Sequence, residues 1–109
     1  PPHSQGQIRS QLANSVVGII SQTLVPTADG KGRCAALEIL AATDAVRSMI
    51  REGKIFQIPT AIATGKKNGM FTLDQDLARL VNMGKITKDV ALGRCQDPNE
   101  FKRYLSVGY

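Results

Sequence analysis

The chain has 109 residues, 42% of them hydrophobic and 21% charged, which fits a small globular unit. Aromatics make up 5% and Trp is absent, so an aliphatic core is expected, and the interleaved basic and stacking residues of single-strand readers are missing. Net charge is +5, with the excess concentrated in residues 31–67, a bias that attracts phosphates and acidic protein surfaces alike.

The opening Pro1-Pro2-His3-Ser4 carries no initiator Met, and the expectation is a piece of a longer polypeptide. Residues 5–20 place Ile8, Leu12, Val16 and Ile19 at helical spacing and predict a helix. Ser21–Val25 then reads as a strand stopped by Pro26. The turn-rich TADGKG precedes a second strand candidate, Arg33–Leu40, so a β-hairpin is expected with a loop too long for a two-residue turn. Thr43 is an expected N-cap for a helix over Asp44–Glu52, with Asp44 in its first turn and Gly53 past its end. On it Ala45, Val46, Met49 and Ile50 make an apolar stripe, while Arg47 and Arg51 share a flank. A short helix through FQIPTAIAT has Pro59 near its start and breaks at Gly65.

Thr72-Leu73-Asp74-Gln75 is a capping box, with Leu73, Leu77, Leu80 and Val81 facing one side as far as Gly84. Thr87 opens another helix, Ile86 and Ala91 standing at staple spacing. Asp97-Pro98-Asn99-Glu100 opens a last one, whose apolar face is Phe101, Tyr104 and Leu105.

Motifs that carry chemistry are scarce. A phosphate-cradling loop needs G-x-x-x-x-G-K-[ST], so that backbone amides hold phosphate and a hydroxyl holds magnesium. Gly30-Lys31-Gly32 lacks the upstream Gly and the hydroxyl. Gly65-Lys66-Lys67 has Thr60 and Lys67 at the decisive places, and both read as turns. Nucleophilic catalysis needs a base, and the only histidine is the near-terminal His3. Cys34 and Cys95 form no C-x-x-C pair, which argues against zinc and for a reduced compartment. Asp74 and Glu100 sit where helix starts favour negative charge. Glu38, inside an apolar strand, either faces outward or pairs with a base such as Arg33 or Arg9. No apolar run reaches membrane-span length, and no signal-peptide pattern opens the chain. For Arg47 and Arg51 the residues alone favour an ordinary solvated helix flank.

The string AVRSMIREGK nevertheless resembles the A-I-R-N-L-I-R-E signature of the type IV pilus retraction ATPase (PilT) family, among the hexameric secretion ATPases. GKGRCAALEIL is similar to that family's G-x-G-R-x-A-A-x-E-I-L segment. QIRSQLANSVVGIISQTL resembles the helix and strand that follow its His box, and GMFTLDQDLARLVNMGKITKDVAL resembles its G-M-x-T-[LM]-D-Q-x-L-x-x-L-V-x-x-G-x-I segment. The four segments occur in the family's order and cover nearly the whole chain.

The resemblance implies an α/β fold, mainly helical with a short β-hairpin, in which residues 1–109 form the C-terminal part of a RecA-like motor domain after the His box. The whole protein would bind ATP and Mg2+, assemble as a homohexamer at the cytoplasmic face of the inner membrane, work with the pilus platform protein there and drive pilus retraction. The Walker A, Asp box, Walker B and His box would lie upstream, so these residues alone would bind no nucleotide and lack ATPase activity. The missing four-cysteine zinc element favours retraction over assembly, and no nucleic acid is expected. The retraction motif maps onto Ala45, Val46, Arg47, Ser48, Met49, Ile50, Arg51 and Glu52, departing from the family pattern at Val46, Ser48 and Met49. In the family this motif serves retraction rather than hydrolysis, so Val46, Met49 and Ile50 are expected to pack the helix while Arg47 and Arg51 meet a neighbouring element. Arg33 and Gln22 are candidates for subunit or nucleotide-side contacts, beside a structural role. The alternative is a free-standing basic module for nucleic acid or an acidic protein.

Overall fold

The computed structural model describes residues 2–15 and 18–109, without the side chains of residues 2–4, 12, 14 and 15. In chain order the elements are α1 (Pro2–Ser15), β1 (Gly18–Pro26), β2 (Arg33–Ala41), α2 (Asp44–Arg51), a 3-10 turn (Ile55–Gln57), α3 (Ile58–Ala63), a second 3-10 turn (Lys66–Asn68), α4 (Leu73–Asn82), α5 (Lys88–Arg94) and α6 (Pro98–Ser106). β1 and β2 pair as an antiparallel hairpin, the two strands found among the described residues. Two compact units result, Pro1–Ile20 with Ile39–Met70, and Ser21–Glu38 with Phe71–Tyr109.

The first boundary differs from the helix expected over residues 5–20. α1 stops at Ser15, and Gly18, Ile19 and Ile20 already belong to β1. Ile19 and Ile20 are branched at Cβ and favour extended backbone. Gly18 permits close pairing, since a Cβ there would stand 3.3 Å from the Leu40 carbonyl oxygen. The helical spacing of Ile19 was coincidental, and its neighbour Ile20 is 70% exposed. Val16, a member of the expected stripe, lies outside the described residues, as do the side chains of Leu12 and His3.

The hairpin loop is held by its own polar groups. The Thr27 amide donates to the Gly32 carbonyl at 2.9 Å, and the Asp29 carboxylate accepts from the Thr27 hydroxyl at 2.7 Å and the Lys31 amide at 2.9 Å. Those bonds, the hydroxyl's first, hold the Asp29 carboxyl below its ordinary range. The Ala28 amide ties the loop to the α4–α5 connection through the Lys85 carbonyl at 2.8 Å.

Each unit has its own core. In the first, Ala13, Leu40, Val46, Ile50, Ile62 and Met70 pack together. In the second, Leu77, Leu80, Ile86 and Ala91 surround Phe101 with Val25 and Tyr104. The expectation of an aliphatic core is therefore corrected for this unit. Phe101 is the largest fully buried side chain, because an aromatic ring fills the space between α4 and α6 that short aliphatics would leave open.

Caps set the helix boundaries largely as the sequence requires. Thr72 and Gln75 exchange both capping-box bonds, at 3.1 and 2.9 Å. Thr87 accepts from the Val90 amide, and Asp97 accepts from the Asn99 and Glu100 amides. Glu100 bonds Arg103 one turn on, so its negative charge supports α6 laterally.

Candidate functional site

The α2 segment is a short helix with both ends closed. At its start the Thr43 hydroxyl accepts from the Val46 amide at 3.2 Å, and Asp44 complements the helix dipole. At its end the Lys54 amide reaches the Met49 carbonyl at 2.8 Å and the Gly53 amide the Ile50 carbonyl at 3.2 Å. This paired closure requires a left-handed residue, supplied by Gly53 at φ 74°. Eight residues would be marginal as an isolated helix. Here Val46 and Ile50 are buried in the core, which fixes the face presented outward.

The two arginines part company. Arg47 is half-buried, and its Nη1 donates to the Ala13 carbonyl oxygen at 2.6 Å. That carbonyl lies among the last four of α1, which have no intrahelical partner, so a cation there satisfies both a lone pair and the helix dipole. Arg51 is exposed in the last turn of α2. Arg9, from α1, lies over Gly53, and a Cβ on that glycine would meet its Nε at 3.4 Å. Ala45 and Glu52 are exposed, while Ser48 and Met49 are half-buried.

Ala45 and Met49 line an open cleft of about 620 Å³ formed with the first 3-10 turn, α3 and the second 3-10 turn. Met70 forms part of its floor, and Gly65 makes room for it. A Cβ on Gly65 would lie 2.3 Å from Met70 Cε and 2.9 Å from the Ala61 carbonyl oxygen. Gly65 therefore does more than end a helix. The sequence pattern located the break and not the steric demand.

No protein-family model matches the chain. A twitching motility protein of Neisseria gonorrhoeae is 45% identical over 97 residues, which cover 89% of this chain and 26% of that protein. The type IV pilus retraction ATPase PilT of Pseudomonas aeruginosa is 42% identical over 93% of this chain and 29% of its own length. The crystal structure of the pilus retraction motor PilT with bound ADP superposes with a TM-score of 0.79 at 36% identity, covering 94% of this chain and 28% of that one. The chain is homologous to the type IV pilus retraction ATPases. It spans about a quarter of the length of the curated relatives it matches.

These retraction ATPase relatives direct attention to nucleotide, and the two Gly-Lys turns test whether this stretch suits a phosphate. In the hairpin loop the Lys31 amide already serves the Asp29 carboxylate, which would repel a phosphate. At Gly65–Met70 the amides of Gly65, Asn68, Gly69 and Met70 are committed to turn carbonyls. Those amides are therefore not free to cradle a phosphate.

Three carboxylates, Asp74, Asp76 and Glu38, are likewise occupied. Asp74, 5% exposed, accepts from the Gln96 amide at 2.7 Å and the Asp97 amide at 2.9 Å, so helix-start electrostatics does not suffice to explain it. Asp76, 3% exposed, accepts from the Leu37 amide and from Arg79 Nε, both at 2.7 Å. Glu38 corrects both readings of it. It is half-buried, and it accepts from the Leu73 amide at 3.1 Å at the start of α4 instead of facing outward or pairing with Arg33 or Arg9. Among the described residues no cluster of three His, Cys, Asp or Glu side chains could hold a metal. No described helix is long and apolar enough to cross a membrane.

Gln22 and Arg33 are exposed on the hairpin, in the second unit, whereas the α2 residues belong to the first. The structure thus gathers Ala45–Glu52 with Arg9, Ala13 and the cleft, and leaves the two hairpin candidates as separate surface positions. The contribution of Ala13 was invisible in the sequence, because a backbone carbonyl carries no residue-type signal.

Proposed function

We propose that this chain is the part of a pilus-retraction motor that transmits motion, while nucleotide is bound and cleaved by residues outside it. On this reading the whole protein holds ATP and Mg2+, forms a hexameric ring at the cytoplasmic face of the inner membrane and acts on the pilus through the platform protein there. Residues 1–109 form the C-terminal part of its RecA-like domain. Ala45–Glu52 is the coupling element: Val46 and Ile50 seat the helix, Arg47 locks it to α1, and Arg51 meets a neighbouring element. Gln22 and Arg33 are contact positions toward an adjoining subunit or the nucleotide.

The observation that carries the reading is homology to named retraction ATPases along 89% and 93% of the chain. The test is made in the full-length protein with Arg51→Ala and Arg47→Ala. Pilus retraction should be impaired while basal ATP hydrolysis stays within a few-fold of the parent. Complete loss of hydrolysis in a folded variant would overturn the coupling role.

A further inference from the structure

The face that the hairpin turns toward the second core carries a polar break. Ser21, Thr23 and Val25 alternate onto this face of β1, and Ala36 and Glu38 onto the same face of β2. Val25 and Ala36 are fully buried in that core. The strands are nine residues each and close through the Thr27–Gly32 bond, a register that sets Ser21 opposite Glu38 and Thr23 diagonal to it. With Leu73 and Gln96 these three line a recess of about 150 Å³.

Glu38 spends only one of its oxygens on the fold. Its Oε2 accepts from the Leu73 amide at 3.1 Å. Among the described residues nothing donates to Oε1, and the hydroxyls of Ser21 and Thr23 make no hydrogen bond. The ion pairs of the described residues are Lys54–Glu52, Arg79–Asp76 and Arg103–Glu100, so the half-buried Glu38 charge meets no cation among them. A carboxylate withdrawn from water is costly unless a charge or donor answers it.

Donor count selects the complement. A lysine ammonium brings one positive charge and three N–H donors, one for each of the three oxygens. An arginine fork suits the recess less, because bidentate pairing needs both carboxylate oxygens and the Leu73 amide holds one. One carboxylate beside two hydroxyls is likewise a poor shell for a divalent cation. The recess lies on the core-facing side of the hairpin, the side that polypeptide covers, and the chain spans about a quarter of the length of its relatives.

We infer that the recess is a seat for a lysine ammonium supplied by the protein's own sequence outside residues 1–109. Seated there, the lysine fastens the hairpin and the start of α4 to the rest of the protein through one charged contact. The seat belongs to the second unit and does not depend on the coupling role proposed for α2.

The test is lysine reactivity in the folded full-length protein, read by acetylation with an N-hydroxysuccinimide ester and peptide mass spectrometry. One lysine outside residues 1–109 should react about tenfold faster in Glu38→Gln than in the parent, because pairing holds the amine protonated and sheltered. Gln keeps an acceptor for the Leu73 amide and turns its NH2 group toward the recess, so α4 stays capped while the seat is lost. Thr23→Val removes one of the three bonds and should raise the reactivity of the same lysine about threefold. It also decides the matter if Glu38→Gln fails to fold. Lysines within residues 1–109 should react as in the parent. No released lysine, a released lysine within residues 1–109, or one indifferent to Thr23→Val would overturn the inference. Methylammonium, added against sodium at equal ionic strength, tells a side chain from a free amine. It should leave the melting of parent and Glu38→Gln alike, whereas a rise confined to the parent would assign the seat to a solute and sink the proposal.

Discussion

The guanidinium of Arg47 donates to the carbonyl oxygen of Ala13 at 2.6 Å, joining two helices 34 positions apart in sequence. This bond divides an arginine pair that the sequence presents as equivalent. Hydrogen bonds from charged donors contribute about 1.5–3 kcal/mol when sheltered, and less where water reaches them. Arg47→Ala should therefore destabilise the α1–α2 pairing by about 1–2 kcal/mol, seen as faster amide hydrogen exchange across both helices in the full-length protein. Arg51→Ala, at an exposed position, should alter that exchange by no more than about 0.5 kcal/mol. Equal effects from the two substitutions would mean that the Ala13 contact carries no stability.

Gly65 gives a second, steric prediction. A methyl group there would approach Met70 Cε to 2.3 Å and the Ala61 carbonyl oxygen to 2.9 Å, and only the first of these neighbours can swing away. Gly65→Ala should cost about 1–3 kcal/mol, in line with overpacking of a filled site. Gly69→Ala adds a control of different origin, because it has a positive φ of 78° and open space around it, so its cost should be near 1 kcal/mol and purely conformational. Thermal unfolding of the two variants separates the causes, since Met70→Ala should relieve Gly65→Ala in part, the Ala61 carbonyl remaining, and leave Gly69→Ala unchanged.

Much of the fold is legible in the sequence because it is written in local chemistry. Thr43, Thr72, Thr87 and Asp97 are all side-chain caps, and each cap bond spans no more than three residues. The misplaced boundary between α1 and β1 arises where local signals conflict, since helical spacing and Cβ branching coincide at Ile19. What stayed hidden depends on long-range pairing with backbone: Arg47 with Ala13, Asp74 with Gln96 and Asp97, and Glu38 with Leu73. In each case one partner is an amide or carbonyl that every residue possesses, so no pattern of residue types marks it. The homology to retraction ATPases was legible for another reason, a resemblance spread over four collinear segments, of which α2 carries one. The cleft beside that helix was not, because Phe56 and Met70 become neighbours of α2 only once the chain folds.

The Cys95 thiol yields a pH prediction. Burial pushes its pKa above the ordinary thiol value, and the nearby Asp74 carboxylate adds to the effect. A raised folded value means that the neutral thiol is favoured and that the associated stability is present below the unfolded pKa, then lost as pH rises through the folded one. Only the thiolate reacts with iodoacetamide. Alkylation of Cys95 should thus rise with pH at a midpoint above that of the same cysteine in denatured protein, as read by peptide mass spectrometry. A midpoint at or below the denatured one would contradict the burial of this sulfur.

Asp74 separates two accounts of a helix-start acid. If its charge served only the dipole of α4, replacement by Asn would cost about 0.3–1 kcal/mol, with effects confined to that helix. The geometry requires more, because both carboxylate oxygens accept amide protons, from Gln96 and Asp97, at the approach to α6. An amide side chain offers one acceptor and turns its NH2 group toward the other amide, leaving two donors face to face. Asp74→Asn should therefore cost about 1–3 kcal/mol, as expected for part-buried amides losing a charged acceptor. The exposed first-turn acid Asp89 on α5 supplies the contrast, and Asp89→Asn should stay within the dipole range. The decisive measurement is amide hydrogen exchange at Gln96 and Asp97. It should accelerate strongly in Asp74→Asn and remain unchanged in Asp89→Asn. Acceleration restricted to the first turn of α4 would return Asp74 to a purely local role.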